Sequence, residues 1–393
     1  MHWQVIHWVV GSILGAAWFS RVVDAALGLP SVADLSRLEW DRGAGAEPRV
    51  SIIVPARNEE AHIRETLTQL LALEYSNYEI IAVDDRSTDR TGAIMDEMAA
   101  EAGKNPCLTR VRVIHIPDLP PGWLGKTHAM WTASQQATGD WLLFTDADVL
   151  FKPDVLRRAI AYTESEKADH LVVFPRMIMQ SPGERMMIAF FQALFVFGHR
   201  PWKTADPKAR DHMGVGAFNM VRRKVYEAVG TYQALRMEVL DDMKLGKVVK
   251  NAGFAQRNVF AGDLISLRWA RGAMGIVNNL TKNFFAVLSF QVWRTLASIV
   301  GLAFLNLGPF VGIWLAQGWA RLPYAIAAIS IYLIYWGMSS KSAVPSYYYF
   351  LHPISTSLFV YILIRSMMHT FRNDGVVWRG TRYPLEELRK GLV

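Results

Sequence analysis

Two short acidic clusters hold the residues of this chain best suited to chemistry. They are Val83-Asp84-Asp85-Arg86-Ser87-Thr88-Asp89 and Phe144-Thr145-Asp146-Ala147-Asp148. Each follows an apolar run, Glu79-Ile80-Ile81-Ala82 before the first and Trp141-Leu142-Leu143 before the second. Carboxylates placed where apolar strands end lie at the edge of an open α/β sheet where ligands bind. Asp146 and Asp148 stand two residues apart, on one side of an extended chain, and can share one hard divalent cation. Mg²⁺ and Mn²⁺ are such cations, and substrate diphosphates are their usual partners. Asp and Ser at strand-to-helix junctions also cap helices, a role that Ser87-Thr88-Asp89 alone would fit equally well. Two such clusters behind two apolar strands read together as a nucleotide–metal site.

The elements that must position these acids can be read around them. Val50-Ser51-Ile52-Ile53-Val54-Pro55, β-branched and closed by proline, has the pattern of a buried strand. Residues 56–60 form a loop opening a helix, in which Ile63, Leu67, Leu70 and Leu71 keep helical spacing. Strands are expected at 78–83, 111–116 and 141–145, and helices at 91–100 and 128–137. This alternation predicts an α/β fold built on a parallel sheet with right-handed crossovers.

At 393 residues, the chain exceeds one ordinary small domain. Hydrophobic residues make up 51% and mean hydropathy is +0.13, both high for a soluble enzyme, and the excess sits at the two ends. Residues 2–19 are apolar, carry Trp3, Trp8 and Trp18, and precede Arg21. They lack the basic start and cleavage site of a signal peptide, so residues 1–21 are expected to be an uncleaved membrane anchor. Residues 22–48 read as a linker and residues 49–285 as the catalytic region. Residues 295–315, 322–338 and 347–364 are transmembrane candidates, and 284–293 an interfacial lead-in. Interfacial and transmembrane helices thus occupy 286–371, and a basic cytoplasmic tail 372–393. The net charge of +7 accompanies no recognisable nucleic-acid module and suits lipid headgroups or a diphosphate. The single cysteine, Cys107, fits a reducing compartment and reads as structural. No His-x-x-x-His spacing and no Gly-x-Ser-x-Gly elbow occurs.

Ser51-Ile52-Ile53-Val54-Pro55-Ala56-Arg57-Asn58-Glu59, then the Asp84-Asp85 cluster, then Asp146-Ala147-Asp148 resemble glycosyltransferase family 2 with its GT-A fold. The likeness extends over about residues 50–285 and implies a mostly parallel sheet with helices on both faces. The apolar tail and Val377-Trp378-Arg379-Gly380-Thr381-Arg382-Tyr383 resemble the membrane-bound branch that glycosylates lipids, including hopanoid- and carotenoid-associated enzymes. By this resemblance Pro55, Arg57 and Glu59 line the nucleotide pocket, and Asp84 and Asp85 hold uracil and ribose. It also implies that Asp146 and Asp148 take Mg²⁺ or Mn²⁺.

Gly125-Lys126-Thr127-His128-Ala129 resembles the Gly-Lys-x-x-Ala stretch whose lysine meets the diphosphate. A lysine there is a point charge opposite phosphates, on the loop opening a helix. Asp241-Asp242-Met243-Lys244-Leu245-Gly246 resembles the acidic pair whose second member is the general base, which makes Asp242 the base and Asp241 its orienting neighbour. Gly214-Val215-Gly216-Ala217-Phe218-Asn219 with Arg222-Arg223 resembles the acceptor side of the pocket. Glycines in such a segment allow close backbone approach. Arg268 or Arg271 is expected to reach the diphosphate. Arg268-Trp269 matches part of the Gln-x-x-Arg-Trp of processive synthases, but Ile265 stands at the glutamine position, against processivity.

The expected protein is a membrane-anchored inverting glycosyltransferase, moving one sugar from a nucleotide-diphospho-sugar, a UDP-sugar by preference, to a lipid-like acceptor. A hopanoid, carotenoid or polyprenyl-type alcohol is the expected acceptor, and the cytoplasmic face of a bacterial-type inner membrane the expected place. A polysaccharide synthase and a silent scaffold are the competing readings; the incomplete Arg-Trp motif counts against the first, and Asp146, Asp148 and Asp242 against the second. Met186, Met187, Phe190, Phe191, Leu194, Phe195 and Phe197 give residues 180–200 an apolar surface, for lipid or for core packing. Three full spans in the tail would put Arg372, Arg379, Arg382, Arg389 and Lys390 on the far side, against the positive-inside rule. The stretch broken by Pro345 and Pro353 is therefore expected to be re-entrant or interfacial.

Overall fold

The computed structural model describes residues 2–43, 45, 47–104, 111–342 and 344–392, so Cys107 lies outside the described residues. The chain forms an α/β unit, Val32–Ile178 with Lys203–Arg268 and Glu386–Val393, and a helical unit, Met1–Ser31 with Met179–Trp202 and Trp269–Leu385. In chain order α1 (His2–Gly28) opens the helical unit. The α/β unit follows with β1 (Val50–Ala56), α2 (Ile63–Leu71), β2 (Tyr78–Asp85), α3 (Thr91–Gly103), β3 (Val111–Ile116), α4 (Gly125–Gln136) and β4 (Trp141–Phe144). It continues with β5 (Leu150–Phe151), α5 (Val155–Ser165), β6 (His170–Phe174) and β7 (Arg176–Met177). After α6 (Pro182–Gly198) come β8 (Asn219–Arg222), α7 (Arg223–Ala228), α8 (Thr231–Ala234), α9 (Asp241–Asn251), β9 (Gln256–Phe260) and β10 (Ile265–Leu267). The helical tail is α10 (Gly272–Thr281), α11 (Phe284–Val287), α12 (Val292–Leu315), α13 (Leu322–Ser342) and α14 (His352–Arg372). The hairpin β11 (Gly375–Trp378) and β12 (Thr381–Pro384) and the short α15 (Leu385–Lys390) close the chain.

The main sheet has the order β3-β2-β1-β4-β8-β6-β9. β1 lies parallel between β2 and β4, and β8 is antiparallel to both β4 and β6. Every residue of β1 is buried, because successive side chains point to opposite faces and both faces are covered. Ile52, Val54, Ile80 and Ala82 pack with Leu67 and Leu70 of α2, Ile94 of α3 and Leu156 of α5. Ile53, Ile81, Val83 and Phe144 pack with Ala129 and Met130 of α4 and Leu245 of α9. The mostly parallel sheet with helices on both faces is the expected one.

Several boundaries differ from the sequence reading, each for a local reason. α1 continues past Arg21 to Gly28, since nothing in that stretch breaks a helix. Residues from Val32 onward belong to the α/β unit rather than to a linker: Leu35 is fully buried, and its N–H donates to the Phe260 carbonyl on the sheet edge at 2.9 Å. β2 runs through Asp85, so Asp84 and Asp85 are its last residues, and α4 begins at Gly125, which puts Lys126 in its first turn. The expected catalytic region 49–285 is interrupted, because α6 and the residues from Trp269 onward pack into the helical unit.

In the helical unit four segments, His2–Ser31, Val292–Leu315, Gly318–Ser342 and Ser346–Arg372, are long and apolar enough to cross a membrane. Trp293, Trp314 and Trp319, near the ends of α12 and just beyond it, are among the most exposed side chains, as membrane interfaces favour. α6 gives Met187 and Phe190 to the core of this unit, with the Phe190 ring 4.7 Å from Phe359 and 5.0 Å from His352. Met186, Phe191, Leu194, Phe195 and Phe197 are half-buried. After α13 the chain doubles back along it: Tyr349 lies 5.5 Å from Tyr332, and His352 5.7 Å from Tyr335. The Val377–Tyr383 motif is the β11–β12 hairpin, whose turn residues Arg379 (φ 47) and Gly380 (φ 78) are both left-handed, as a tight two-residue hairpin turn requires.

Candidate active site

The carboxyl ends of β1, β2 and β4 meet at one edge of the main sheet, with Ala56 in register with Asp84. The loops leaving β1 and β2 are laced together there. The Asn58 N–H donates to Ser87 Oγ (3.1 Å), the Thr88 N–H to Asn58 Oδ1 (2.8 Å), the Glu59 N–H to Thr91 Oγ1 (2.7 Å) and the Glu60 N–H to Asp89 Oδ2 (3.2 Å). Asp89 caps the start of α3, accepting from the Thr91 N–H at 3.0 Å, and the lacing carries the half-buried Arg57 and Glu59 beside the buried Pro55.

Asp84 accepts from the Ser87 N–H (3.1 Å) and pairs with His115 Nδ1 (3.1 Å), whose Nε2 meets Asp96 (3.0 Å). Hydrogen bonds from Asp96 and Asp84 raise the His115 pKa. Asp85 is buried and held bidentately by Arg86, at 2.7 and 3.1 Å.

Lys126 reaches from the first turn of α4 to Asp146 Oδ1 (2.7 Å) and Asp241 Oδ2 (3.5 Å). Burial alone would lower its pKa, but the carboxylates of Asp146, Asp241 and Asp242 outweigh that and raise it. Asp146 is fixed by its N–H donating to the Gly216 carbonyl at 3.0 Å. Gly214 and Gly216 make this crowding possible: a Cβ on Gly214 would stand 1.9 Å from the Asp242 carbonyl oxygen, and one on Gly216 2.4 Å from Asp146 Oδ2. Burial pushes Asp241 up to about 7, against the pull of Lys126 and with the repulsion of Asp242 and Asp146. Asp242 is also raised, by burial first, although Lys126 and the N–H groups of Met243 and Gly216 oppose it; the Met243 contact is 2.7 Å. These groups border a small cleft, whose polar lining includes Lys126, Asp146, Asn219, Asp241 and Asp242, and whose apolar lining includes Met130, Phe144 and Tyr232.

The donor set fits a hard divalent cation. Burial, then the charges of Asp146 and Glu59, push Asp148 up to about 6, the mark of carboxylates short of positive charge. The Lys126 ammonium on Asp146 is a stand-in for such charge. Among the described residues no group of three or more His, Cys, Asp or Glu forms a complete cage. Asp146 and Asp148 would thus hold the ion together with oxygens of a bound diphosphate and water, a common arrangement for Mg²⁺.

Arg222 and Arg223, suggested by sequence, lie elsewhere. β8 is antiparallel, so Asn219 pairs with Phe144 at the site while Arg222 pairs with Trp141 at the opposite edge. Arg222 there donates to the Ala168 carbonyl (3.1 Å) and stacks 4.5 Å over Trp141. It is a structural residue, and Arg223 likewise donates to the Gly139 carbonyl at 2.7 Å. Arg268 follows β10 in the smaller sheet β5-β10-β7, and Arg271 is an exposed residue of the helical unit, just before α10. Asn219 lies in the segment likened to the acceptor side, whereas Met130 and Tyr232 were not identifiable from sequence, because ordinary buried residues carry no local signal until the fold places them.

A mostly parallel sheet with helices on both faces and this edge is the GT-A fold. Residues 51–230 match the profile of Glycosyl transferase family 2; the chain carries a domain of that family and is a glycosyltransferase. It is similar to a 4,4'-diaponeurosporenoate glycosyltransferase of Staphylococcus aureus, 22% identical over 86% of this chain and 89% of the relative. Its counterpart in Staphylococcus haemolyticus is 23% identical over 60% of each chain. Among solved structures, a mannosyltransferase from Pyrobaculum calidifontis in complex with GDP-Man and Mn²⁺ superposes with a TM-score of 0.55. It is 18% identical, covering 93% of this chain and 99% of that one, a likeness of fold.

Asp148→Ala should abolish Mn²⁺ binding in the presence of nucleotide, read by electron paramagnetic resonance, and should leave the circular dichroism spectrum unchanged. Wild-type Mn²⁺ binding by the variant would remove Asp148 from the metal set.

Proposed function

We propose that the protein is a membrane-anchored inverting glycosyltransferase that moves a sugar from a nucleotide-diphospho-sugar to a lipid-like polyisoprenoid acceptor. The observation that carries this reading is the convergence of Lys126, Asp146, Asp241 and Asp242 on one cleft at the carboxyl edge of the sheet. Asp242 takes the proton of the acceptor hydroxyl as that oxygen attacks the anomeric carbon. The bond from that carbon to the diphosphate oxygen breaks on the opposite side, so configuration inverts. A carboxylate whose pKa is raised is a better proton acceptor than a surface one, which suits Asp242. Lys126 offers its ammonium to the departing diphosphate. When bound, the divalent ion offsets the charge that develops on that leaving group.

A polyisoprenoid acceptor is supported by the relatives named for a carotenoid-type substrate and by the long apolar helices of this chain. Ile265 in place of the glutamine of the processive motif supports single transfer over polymerisation. A carboxylate acceptor would arrive ionised and need no base, whereas a hydroxyl acceptor needs Asp242.

The membrane reading also has support within the chain. Glu386–Val393 fold as part of the α/β unit, with Leu388 buried and Gly391 against Met237. A chain that leaves this unit after Arg268 and returns at Glu386 crosses a bilayer an even number of times. Two of the three long tail helices then cross. The third is the Pro345–Pro353 stretch, which doubles back along α13. The α/β unit and the basic tail accordingly face the cytoplasm, where nucleotide sugars are made.

Asp242→Asn should lower turnover with a hydroxylated lipid acceptor by about 10²–10⁴-fold while donor affinity stays near wild type. Because Asp242 must be ionised and its pKa is raised, wild-type turnover should be lost on acidification at a pH above the usual carboxylate value of about 3.9. An inactive Asp241→Asn beside a fully active Asp242→Asn would reverse the assignment of the pair. For topology, a reporter fused to the C-terminus should give a cytoplasmic signal, and a periplasmic signal would refute the even count.

A further inference from the structure

A buried chain of side chains runs beneath the acidic pair and has no place in the chemistry above. Its members are Gln256 on β9, His170 on β6 and Asn219 on β8, each at most 1% exposed. The orientation of the whole chain is fixed by one backbone group. The Met213 N–H donates to Gln256 Oε1 at 2.9 Å, so the amide nitrogen of Gln256 faces the other way. That nitrogen lies 2.7 Å from His170 Nδ1 and 3.1 Å from the Gly246 carbonyl. An N–H donor at Nδ1 makes this nitrogen the acceptor and leaves the imidazole proton on Nε2. Nε2 in turn donates to Asn219 Oδ1, which turns the Asn219 amide nitrogen toward the Asp242 carbonyl, 3.3 Å away. The three donors run in one direction along the chain, from Gln256 through His170 and Asn219 to the Asp242 carbonyl in the first turn of α9.

We propose that His170 is a positioning residue for Asp242, acting through Asn219 to hold the peptide that carries the acidic pair. α9 is gripped in its first turn at the Asp242 carbonyl by Asn219 and in its second turn at the Gly246 carbonyl by Gln256, and His170 bridges the two grips. Gly214 backbone closes on the same Asp242 carbonyl with no room for a Cβ, so the turn cannot shift toward that side. The arrangement requires a neutral imidazole, and burial does lower the His170 pKa, to about 4. Aligned buried hydrogen bonds reinforce one another, and a displacement of about 1 Å at a reacting group can cost on the order of 10²-fold in rate.

The inference rests on Asp242 being the base, and the experiment separates the two claims. His170→Gln keeps a donor where Nε2 was, and His170→Asn keeps only an acceptor where Nδ1 was. The Asn variant should lose about 10- to 100-fold in kcat, with donor KM within about twofold and a shifted acid limb in the kcat–pH profile. The Gln variant should recover most of that loss. Gln256→Glu is isosteric and guards against misfolding of the Asn variant: its carboxylate reverses the tautomer of His170 and should lower kcat without changing donor KM. Normal turnover in His170→Asn and Gln256→Glu would overturn the proposal. So would parallel losses of kcat, donor affinity and melting temperature that Gln fails to rescue, since those mark a merely structural residue. Asp242→Asn measured alongside reports on the base itself: if it is inactive while the His170 variants turn over normally, only the positioning role falls.

Discussion

The Lys126 ammonium, 2.7 Å from Asp146 and 3.5 Å from Asp241, is the contact on which the rest of the site depends. Four aspartates crowd one sheet edge, three of them deeply buried, and desolvation and like-charge repulsion both favour their protonated forms. That tension is visible in Asp148, raised to about 6, and in Asp241, raised to about 7. A single cation cannot neutralise the group, which leaves the edge short of positive charge. Three elements must meet for this to happen: the first turn of α4, the end of β4 and the start of α9. The glycines at 214 and 216 permit the meeting, since any side chain there would strike Asp242 or Asp146.

The same constraint explains why much of the site was legible in sequence. Asp146 and Asp148 stand two apart behind an apolar strand, a spacing signal in itself, while Lys126, Asp241 and Asp242 were read through their resemblance to family motifs. Gly214 and Gly216 were likewise read through the segment's resemblance to the acceptor side of the pocket, where close backbone approach calls for glycine. Arg222 misled because the direction of β8 is not written locally: an antiparallel strand sends its last residue to the far edge. His170, Asn219 and Gln256 lie on three strands far apart in the chain and become a unit only through register. The segment after residue 22 looked like a linker because it is polar on average, yet one buried leucine, Leu35, ties it to the sheet edge.

The helical part was legible as apolar length and less so as arrangement. Hydropathy picks out long segments but does not say where each begins beside its neighbour, as α14 does beside Tyr335. Nor could it assign α6, whose aromatic stripe suited either a lipid surface or a core. Phe190 packs on Phe359 and His352, and the stripe is largely spent on holding the helical unit together.

The central claim is transfer of a sugar to a lipid, and the direct measurement is the fate of labelled sugar. Membranes carrying the protein are incubated with labelled UDP-glucose or related donors and Mn²⁺, then extracted with organic solvent. The account predicts label in the organic-extractable fraction, lost when Lys126 is replaced by alanine. Label found only in water-soluble polymer would contradict it.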